Sequence, residues 1–172
     1  MFISFSQSVF ISDIIEFIDA DHFSDFIISK SSNAEVVSSY IDMNSIPLST
    51  ITLNFTNNTQ LGRNEYTMDL SSFSQLKSFE CGDNSFNSVR KFIINGLNQL
   101  ESIVIGKNSF TLSKNSYDER LNREFHVTNC SSLRELSIDR YSFSDYHIFE
   151  LNNLPNLKSI TIGSSSTSYN FY

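Results

Sequence analysis

Apolar residues recur along the chain in columns whose spacing repeats. The clearest column is Leu76, Leu100, Leu133 and Leu157, in which the first and last intervals are equal and the middle one is longer. Three positions after each leucine stand Phe79, Ile103, Leu136 and Ile160, and two positions further on stand Cys81, Ile105, Ile138 and Ile162. Apolar residues also stand three and six positions before each leucine. Matching residue types at so many fixed offsets identify a chain built from repeated units.

Each unit contains two short stretches in which apolar and polar residues alternate, the pattern of a β-strand. The first, as in "LESIVIG" from Leu100 and "LKSITIG" from Leu157, carries Ile, Val and Thr and ends at glycine. The second recurs as "KFIING", "EFHVTN" and "IFELNN", which begin at Lys91, Glu124 and Ile148. We therefore predict a mainly β protein with two short strands on opposite sides of each coil, and little helix.

The spacing breaks once, and in an orderly way. Phe86 and Phe92 are six residues apart, whereas Phe110 and Phe125 are fifteen apart. The nine extra residues are predicted to form a surface loop, an insertion at 111–124, because stacked strands cannot absorb them. A fainter copy of the unit, formed by Ile46, Leu48, Ile51 and Leu53, precedes the first clear one and aligns Leu48 with Leu76.

The columns divide the chain into three predicted parts. Residues 41–168 form a solenoid of about four to five coils, residues 1–40 form an N-terminal cap or degenerate repeat, and residues 169–172 form a C-terminal tail. A cap covers the apolar surface and strand edge that a terminal coil otherwise exposes. No cap is evident after the last unit. The tail folding over it, a longer repeat array, and self-association through an uncapped C-terminal coil are the open alternatives.

The units resemble the leucine-rich repeat family. The family pattern L-x-x-L-x-L-x-x-N-x-L is matched by "LKSFECGDNSF" from Leu76 and by "LESIVIGKNSF" from Leu100, and less closely by the units from Leu133 and Leu157. The Phe-, Ser- and Asn-rich composition is similar to that of large repeat families of microbial eukaryotes. The resemblance implies an α/β-type leucine-rich-repeat solenoid, with parallel β-strands on the concave face and short strands or irregular coil on the convex face.

Two finer expectations come with the resemblance. It implies that Asn84 and Asn108 hydrogen-bond backbone groups of neighbouring coils as a ladder, which Tyr141 and Ser165 do not continue. The last apolar position of the pattern holds Phe86, Phe110 and Phe143, which predicts a stacked phenylalanine spine that Thr167 interrupts.

The resemblance also implies a binding surface. Outward residues of the first strand line the concave face, and here the candidate set is Ser78, Glu80, Ser102, Val104, Glu135, Ser137, Ser159 and Thr161. This stripe is small, rich in hydroxyls and nearly neutral, and it lacks the aromatic anchors that dominate many interfaces. A protein-binding face and a merely solvated sheet are the two interpretations.

Charge and composition exclude several classes of function. The net charge is −7, and seven of the acidic residues fall within residues 1–45. The sequence has no basic stripe, so nucleic acid is not expected as a partner. No apolar run is long enough for a membrane span. The opening "MFISFSQSVFISDIIEFID" lacks a basic region and turns acidic early, unlike a secretory signal, so a cytoplasmic location is the default expectation.

Candidate chemistry is sparse. Glu124, His126 and Cys130 are close in sequence, but Cys130 and Cys81 occupy apolar columns and are predicted to be small core residues. His126 is out of phase with its apolar neighbours and is predicted to face solvent. No ligand set has metal-site spacing and no phosphate-binding or nucleophile motif occurs, so neither a metal, a cofactor nor catalysis is expected.

The remaining polar candidates lie in the insertion, which carries Lys114, Tyr117, Asp118, Glu119, Arg120 and Arg123. A tolerated surface loop is favoured over a functional one. We expect a non-catalytic leucine-rich-repeat module that binds an unidentified protein through its concave face. The alternative is a structural segment of a longer array or a self-associating solenoid, and the least supported option is a regulatory repeat domain of an enzyme.

Overall fold

The computed structural model describes residues 27–28, 40–62, 66–112 and 122–163. The described strands are β1 (Ile27–Ile28), β2 (Tyr40–Ile41), β3 (Thr52–Phe55), β4 (Gln60–Leu61), β5 (Thr67–Asp69), β6 (Ser78–Cys81), β7 (Lys91–Asn95), β8 (Ser102–Ile105), β9 (Glu124–Thr128), β10 (Glu135–Ile138), β11 (Ile148–Asn152) and β12 (Ser159–Ile162). Helix in this part of the chain is limited to one 3-10 turn, Met43–Ser45. Most of the predicted N-terminal cap, and the whole tail, lie outside the described residues.

Strands from successive coils pair side by side. One sheet has the order β1-β3-β6-β8-β10-β12, a second has the order β11-β9-β7-β5, and β2 pairs with β4. All pairs are parallel except β1 with β3. The chain is thus a mainly β solenoid of about five turns, and both predicted strands of each unit are confirmed. As labels only, we call the first, six-stranded sheet the long-strand sheet and the second, four-stranded sheet the short-coil sheet.

The interior is built from the predicted columns. Leu76, Leu100 and Leu133 are fully buried. The phenylalanine spine is confirmed as far as Phe143, whose ring stacks on Phe110 with centroids 4.7 Å apart, while Thr167 lies outside the described residues. A second aromatic column from the short-coil sheet stacks alongside it, with Phe125 sandwiched between Phe92 at 5.3 Å and Phe149 at 4.3 Å.

The first coil is offset from the predicted alignment. The fainter copy placed Ile51 opposite Phe79, whereas in the structure Leu53 pairs with Phe79. Thr50 is therefore buried at the place that leucine holds in later coils, and Leu48 is 59% exposed. The predicted assignment of Leu48 to the leucine column was wrong. A shift of two positions leaves every side chain on the same face of a strand, which is why the alternating pattern did not reveal it.

The prediction that Asn84 and Asn108 hydrogen-bond backbone groups of neighbouring coils is also wrong. Nδ2 of Asn108 donates to Oδ1 of Asn84 at 3.1 Å, so the two amides pair with each other and not with backbone groups of the neighbouring coil. Both residues have left-handed backbone, with φ of 57° at Asn84 and 56° at Asn108. Asparagine adopts this conformation more readily than other side chains. Its recurrence is therefore explained by the turn that it forms.

Hydroxyl groups form the ladder instead. The amides of Thr59, Ser85 and Ser109 donate to the Oγ of the serine in the next coil, ending at Ser142, over 3.2, 3.1 and 3.0 Å. Each serine Oγ donates in turn to a backbone carbonyl one coil back, as Ser142 does to Gly106 at 2.6 Å. These side chains are buried. The hydroxyl ladder thus satisfies polar groups at the corner of the coil where water is excluded.

Candidate functional site

The eight candidate face residues lie together on the long-strand sheet. Strand alternation points them away from the core, and the parallel register aligns them into two rows. The first row is Ser78, Ser102, Glu135 and Ser159, and the second is Glu80, Val104, Ser137 and Thr161. Strand β3 extends the rows with Thr52 and Asn54. We call this surface the row face.

The row face is shallow and polar. Ser102, Val104 and Ser137 in its centre are half-buried by their neighbours, whereas the acidic Glu80 and Glu135 are exposed. The hydroxyl of Ser78 donates to that of Thr52 at 3.3 Å, so part of the hydrogen-bonding capacity is used within the row. The exposed residues beside the first row differ in sign between coils: Lys77, Glu101, Arg134 and Lys158. The surface offers hydroxyl groups and scattered charges, with Val104 as its apolar centre.

A charged cluster crosses the opposite, short-coil sheet. Nδ1 of His126 lies 2.7 Å from Oε2 of Glu150, and its Nε2 lies 3.2 Å from Oε2 of Glu124. The ammonium of Lys91 also contacts that Glu124 oxygen at 3.2 Å. As predicted, His126 points away from the core, but its side chain is only 24% exposed because the two carboxylates flank it. The cluster joins β7, β9 and β11 across their outer face.

This cluster shifts the ionisation of its acids. At Glu124 partial burial raises the pKa, but hydrogen bonds and charge from Lys91 and His126 outweigh it, and the pKa is lowered overall. The hydrogen bond from His126 is the main reason that the pKa of Glu150 is also lowered. Both carboxylates are therefore held in their charged form. Within the described residues no three His, Cys, Asp or Glu side chains are grouped so as to hold a metal ion.

Arg123 departs most from the prediction for the insertion. Its side chain is fully buried, and Nη1 lies 3.2 Å from Oδ2 of Asp145. Its Nη2 donates to three backbone carbonyls, those of Asn87 at 2.9 Å, Val89 at 2.6 Å and Phe110 at 2.9 Å. Placing this arginine in an exposed loop was wrong. A buried charge is tolerated here because it is both paired and hydrogen-bonded.

Asp145 also holds the residues at the start of the insertion. Its carboxylate accepts hydrogen bonds from the hydroxyl of Thr111 and from the amide of Leu112, each at 3.1 Å. The ring of Tyr146 lies under the Arg123 guanidinium at 4.8 Å. Both ends of the insertion are therefore attached to one buried carboxylate, and the other insertion residues with candidate chemistry, Lys114 to Arg120, lie outside the described residues.

The cysteines occupy the predicted core positions. Cys81 and Cys130 are both buried and free, which confirms their assignment as small core residues. Burial raises the pKa of the Cys81 thiol to about 12, and it also raises the pKa of Cys130. Because the thiolate is the reactive form, neither side chain is suited to act as a nucleophile near neutral pH.

An open groove of about 550 Å³ runs beside β4. It is lined by Tyr40, Gln60, Leu61, Gly62, Tyr66, Asn87, Ser88 and Leu112. The side-chain amide of Gln60 is already engaged, since it donates to the carbonyl of Asn84 and accepts from the backbone amide of Asn87. The groove therefore combines tyrosine rings with a glutamine amide that is already engaged.

No protein-family model, no curated protein and no solved structure matches the chain. The leucine-rich-repeat resemblance therefore depends on the residues of the repeat alone. The described part of the chain contains no helix long and apolar enough to span a membrane.

Proposed function

We propose that the chain is a non-catalytic leucine-rich-repeat module that binds a partner protein through the row face. One observation carries this proposal: eight outward side chains, predicted from the repeat alone, lie in two in-register rows on one exposed parallel sheet. The row face is a regular surface that the repeat generates across successive coils. The buried, weakly acidic thiols support a role without nucleophilic chemistry.

The size of the row face limits how a partner binds. Five strands about 4.8 Å apart and four residues long cover roughly 19 by 13 Å, or about 250 Å². A standard protein interface buries about 800 Å² on each side, so the rows alone are too small. The partner must also contact the flanking charges Lys77, Glu101, Arg134 and Lys158. We therefore expect a partner that places a neutral ridge on the rows and, beside it, charges complementary to those four flanking residues.

Val104 is the position at which to test the proposal. A Val104→Arg substitution places a long cation at the centre of the row face on an outward side chain, so the fold is retained. The matched control is Thr67→Arg, at an outward position on the short-coil sheet. Proteins captured from a native extract by the wild-type chain are compared with those captured by the two variants, using quantitative mass spectrometry.

A partner is accepted only if Val104→Arg loses it and Thr67→Arg retains it. With that protein purified, we expect the Kd to rise at least tenfold for Val104→Arg, measured by calorimetry. Equal binding by both variants, or equal loss by both, would show that the row face is not the binding surface.

A further inference from the structure

The last described coil presents an apolar end. Ile160 and Ile162 of β12 are 50% and 38% exposed, whereas Leu136 and Ile138, which pair with them on β10, are fully buried. Phe149 on the neighbouring face of this coil is also exposed. The residue types are similar in the two coils. What differs is that β10 has a neighbouring strand on both sides and β12 has one only on the β10 side within the described residues.

The backbone of β12 is directed so that it can accept another strand. The amides of Ser159 and Gly163 donate towards β10, to the carbonyls of Arg134 at 3.1 Å and Ile138 at 2.8 Å. In a parallel pair, alternate residues bond to alternate sides. The N–H and C=O groups of Ile160 and Ile162 therefore point away from β10, along the outer edge of the sheet. Such an edge is a template for a further strand.

The opposite end of the same sheet is already occupied. Strand β1 runs antiparallel to β3, with Ile27 opposite Asn54 and Ile28 opposite Leu53. Head-to-tail stacking of copies through this sheet would require that edge. An antiparallel strand at one edge also demonstrates that the sheet accepts this orientation. Two β12 edges, in contrast, are identical and can meet about a two-fold axis.

We propose that two copies of this chain associate through their β12 strands, paired antiparallel with Thr161 on the two-fold axis. In this register Ile160 lies opposite Ile162 of the other copy and exchanges both backbone hydrogen bonds with it. The isoleucine side chains extend the core, and Thr161 faces its own counterpart on the outer side. The residues on the two sides of Thr161 in β12 are both isoleucine, and the segment "SITIG" carries no charge.

The arrangement buries what the last coil exposes. Cross-strand isoleucine and threonine pairs are favourable in antiparallel sheets. The opposing cost lies on the short-coil sheet, where the same axis brings Glu150 towards its own copy. The imidazole of His126, 2.7 Å from that carboxylate, is positioned to moderate the repulsion.

Cysteine substitution tests the register directly. In a non-hydrogen-bonded antiparallel pair the Cα atoms are about 4.5 Å apart, which lies within the range over which a disulfide forms. Thr161→Cys in the full chain is expected to form a covalent dimer under mild oxidation. Ser159→Cys on the same strand faces Gly163 of the other copy and is expected to remain uncoupled. Cys81 and Cys130 are buried and do not interfere.

The oligomeric state tests the interface without new thiols. Sedimentation of the full wild-type chain over a range of concentrations is expected to give twice the monomer mass at the upper end. Ile160→Lys places an ammonium on the apolar end and is expected to weaken the dimer at least tenfold. The control Ser137→Lys, on the outward side of an interior strand, is expected to leave it unchanged. Circular dichroism establishes that each variant is folded.

Three results would overturn the proposal. One is a chain that is monomeric at all concentrations. If the Ile160 and Ile162 amides of that monomer are protected from hydrogen exchange, residues of the same chain cover the edge of β12. Another is equal cross-linking of the Thr161→Cys and Ser159→Cys variants, which would exclude the register. The last is a dimer that a folded Ile160→Lys variant retains, which would place the interface elsewhere. None of these results bears on partner binding at the row face.

Discussion

Two junctions connect the long-strand sheet to the short-coil sheet in different ways. Between Phe86 and Phe92 the chain needs six residues, and Val89 fills the interior. Phe110 and Phe125 are fifteen residues apart, and Arg123 is buried in this junction with its charge paired to Asp145. The first junction has an apolar side chain in the core, and its Asn87 and Val89 carbonyls accept hydrogen bonds from Arg123. The second junction carries the buried ion pair from which these hydrogen bonds are directed. An insertion is therefore compatible with the solenoid where buried polar groups hold both of its ends.

Removing the guanidinium should give the largest effect. Arg123→Met keeps the apolar stem, but three carbonyls lose the hydrogen bond from Nη2, and Asp145 is left as a buried carboxylate without its cation. Breaking a buried ion pair in this way costs about 3–5 kcal/mol of unfolding free energy. Val89→Ala at the apolar junction is the control, at roughly 1.5 kcal/mol for the methylene-sized groups removed. Urea denaturation measures both, and an Arg123→Met cost no larger than that of Val89→Ala would contradict the network.

Alanine substitutions in the leucine column test whether packing also differs between the coils before and after the insertion. Leu100 precedes the insertion, Leu133 follows it, and both are fully buried. Replacing either one by alanine should cost about 2–5 kcal/mol through lost burial and cavity formation. Leu157 is only half-buried in the last described coil, so Leu157→Ala should cost less. Equal costs for all three variants, measured by chemical denaturation, would argue against burial by neighbouring coils.

Deletion of the insertion should have a smaller effect. Removing residues 113–121 makes the interval from Leu100 to Leu133 equal to the regular interval from Leu76 to Leu100. The weak dependence of loop closure on length predicts a change in unfolding free energy of only about 1 kcal/mol. Far-UV circular dichroism should retain the β signature. A deletion of the same length over 97–105, which removes β8, is the control and should abolish folding; a deletion of 113–121 that also unfolds the chain would give the insertion a structural role.

The smallest effect is expected from the charged cluster that joins the strands after the insertion. The lowered pKa of Glu124 and of Glu150 means that their ionised forms stabilise the folded state above the ordinary value of 4.5. This contribution should be lost as the pH falls through the lowered range below 4.5. In His126→Gln the pKa shifts should shrink, so stability should decline less steeply with acid. Thermal melts from neutral to acidic pH provide the comparison, and identical acid dependence in the variant and wild type would refute the assignment.

Fixed offsets and strict alternation were sufficient to predict strands β6 to β12 and most of the core, but not the short strands β1, β2, β4 and β5. These signals are local, and they place the row face as well, because outward positions follow once the inward ones are known. The shift of two positions at Leu48 did not show in the sequence because it preserves both faces of the strand. The identity of a partner is not contained in this pattern, since hydroxyl rows recognise many surfaces.

The polar interior was missed for a different reason. Ser85, Ser109 and Ser142 stand at one fixed offset, but serine in a polar turn is typical of an exposed site. In the folded chain, the backbone of the adjacent coil covers these serines and excludes water from them. Arg123 lies in an insertion, and its partner Asp145 is 22 residues away, so no local pattern couples them. Recurrence of a small hydroxyl residue at one offset is the signal that would have revealed the ladder.

The hydroxyl ladder divides the serines of this chain into two groups with different accessibility. The side chains of Ser85, Ser109 and Ser142 are enclosed between coils, whereas Ser102 and Ser159 lie on the outer surface of the sheet. An enzyme that phosphorylates hydroxyl groups could therefore reach the second group in the folded chain, but the first only after coils separate. Labelling of Ser109 would consequently report opening of the solenoid and not a signal received at its surface.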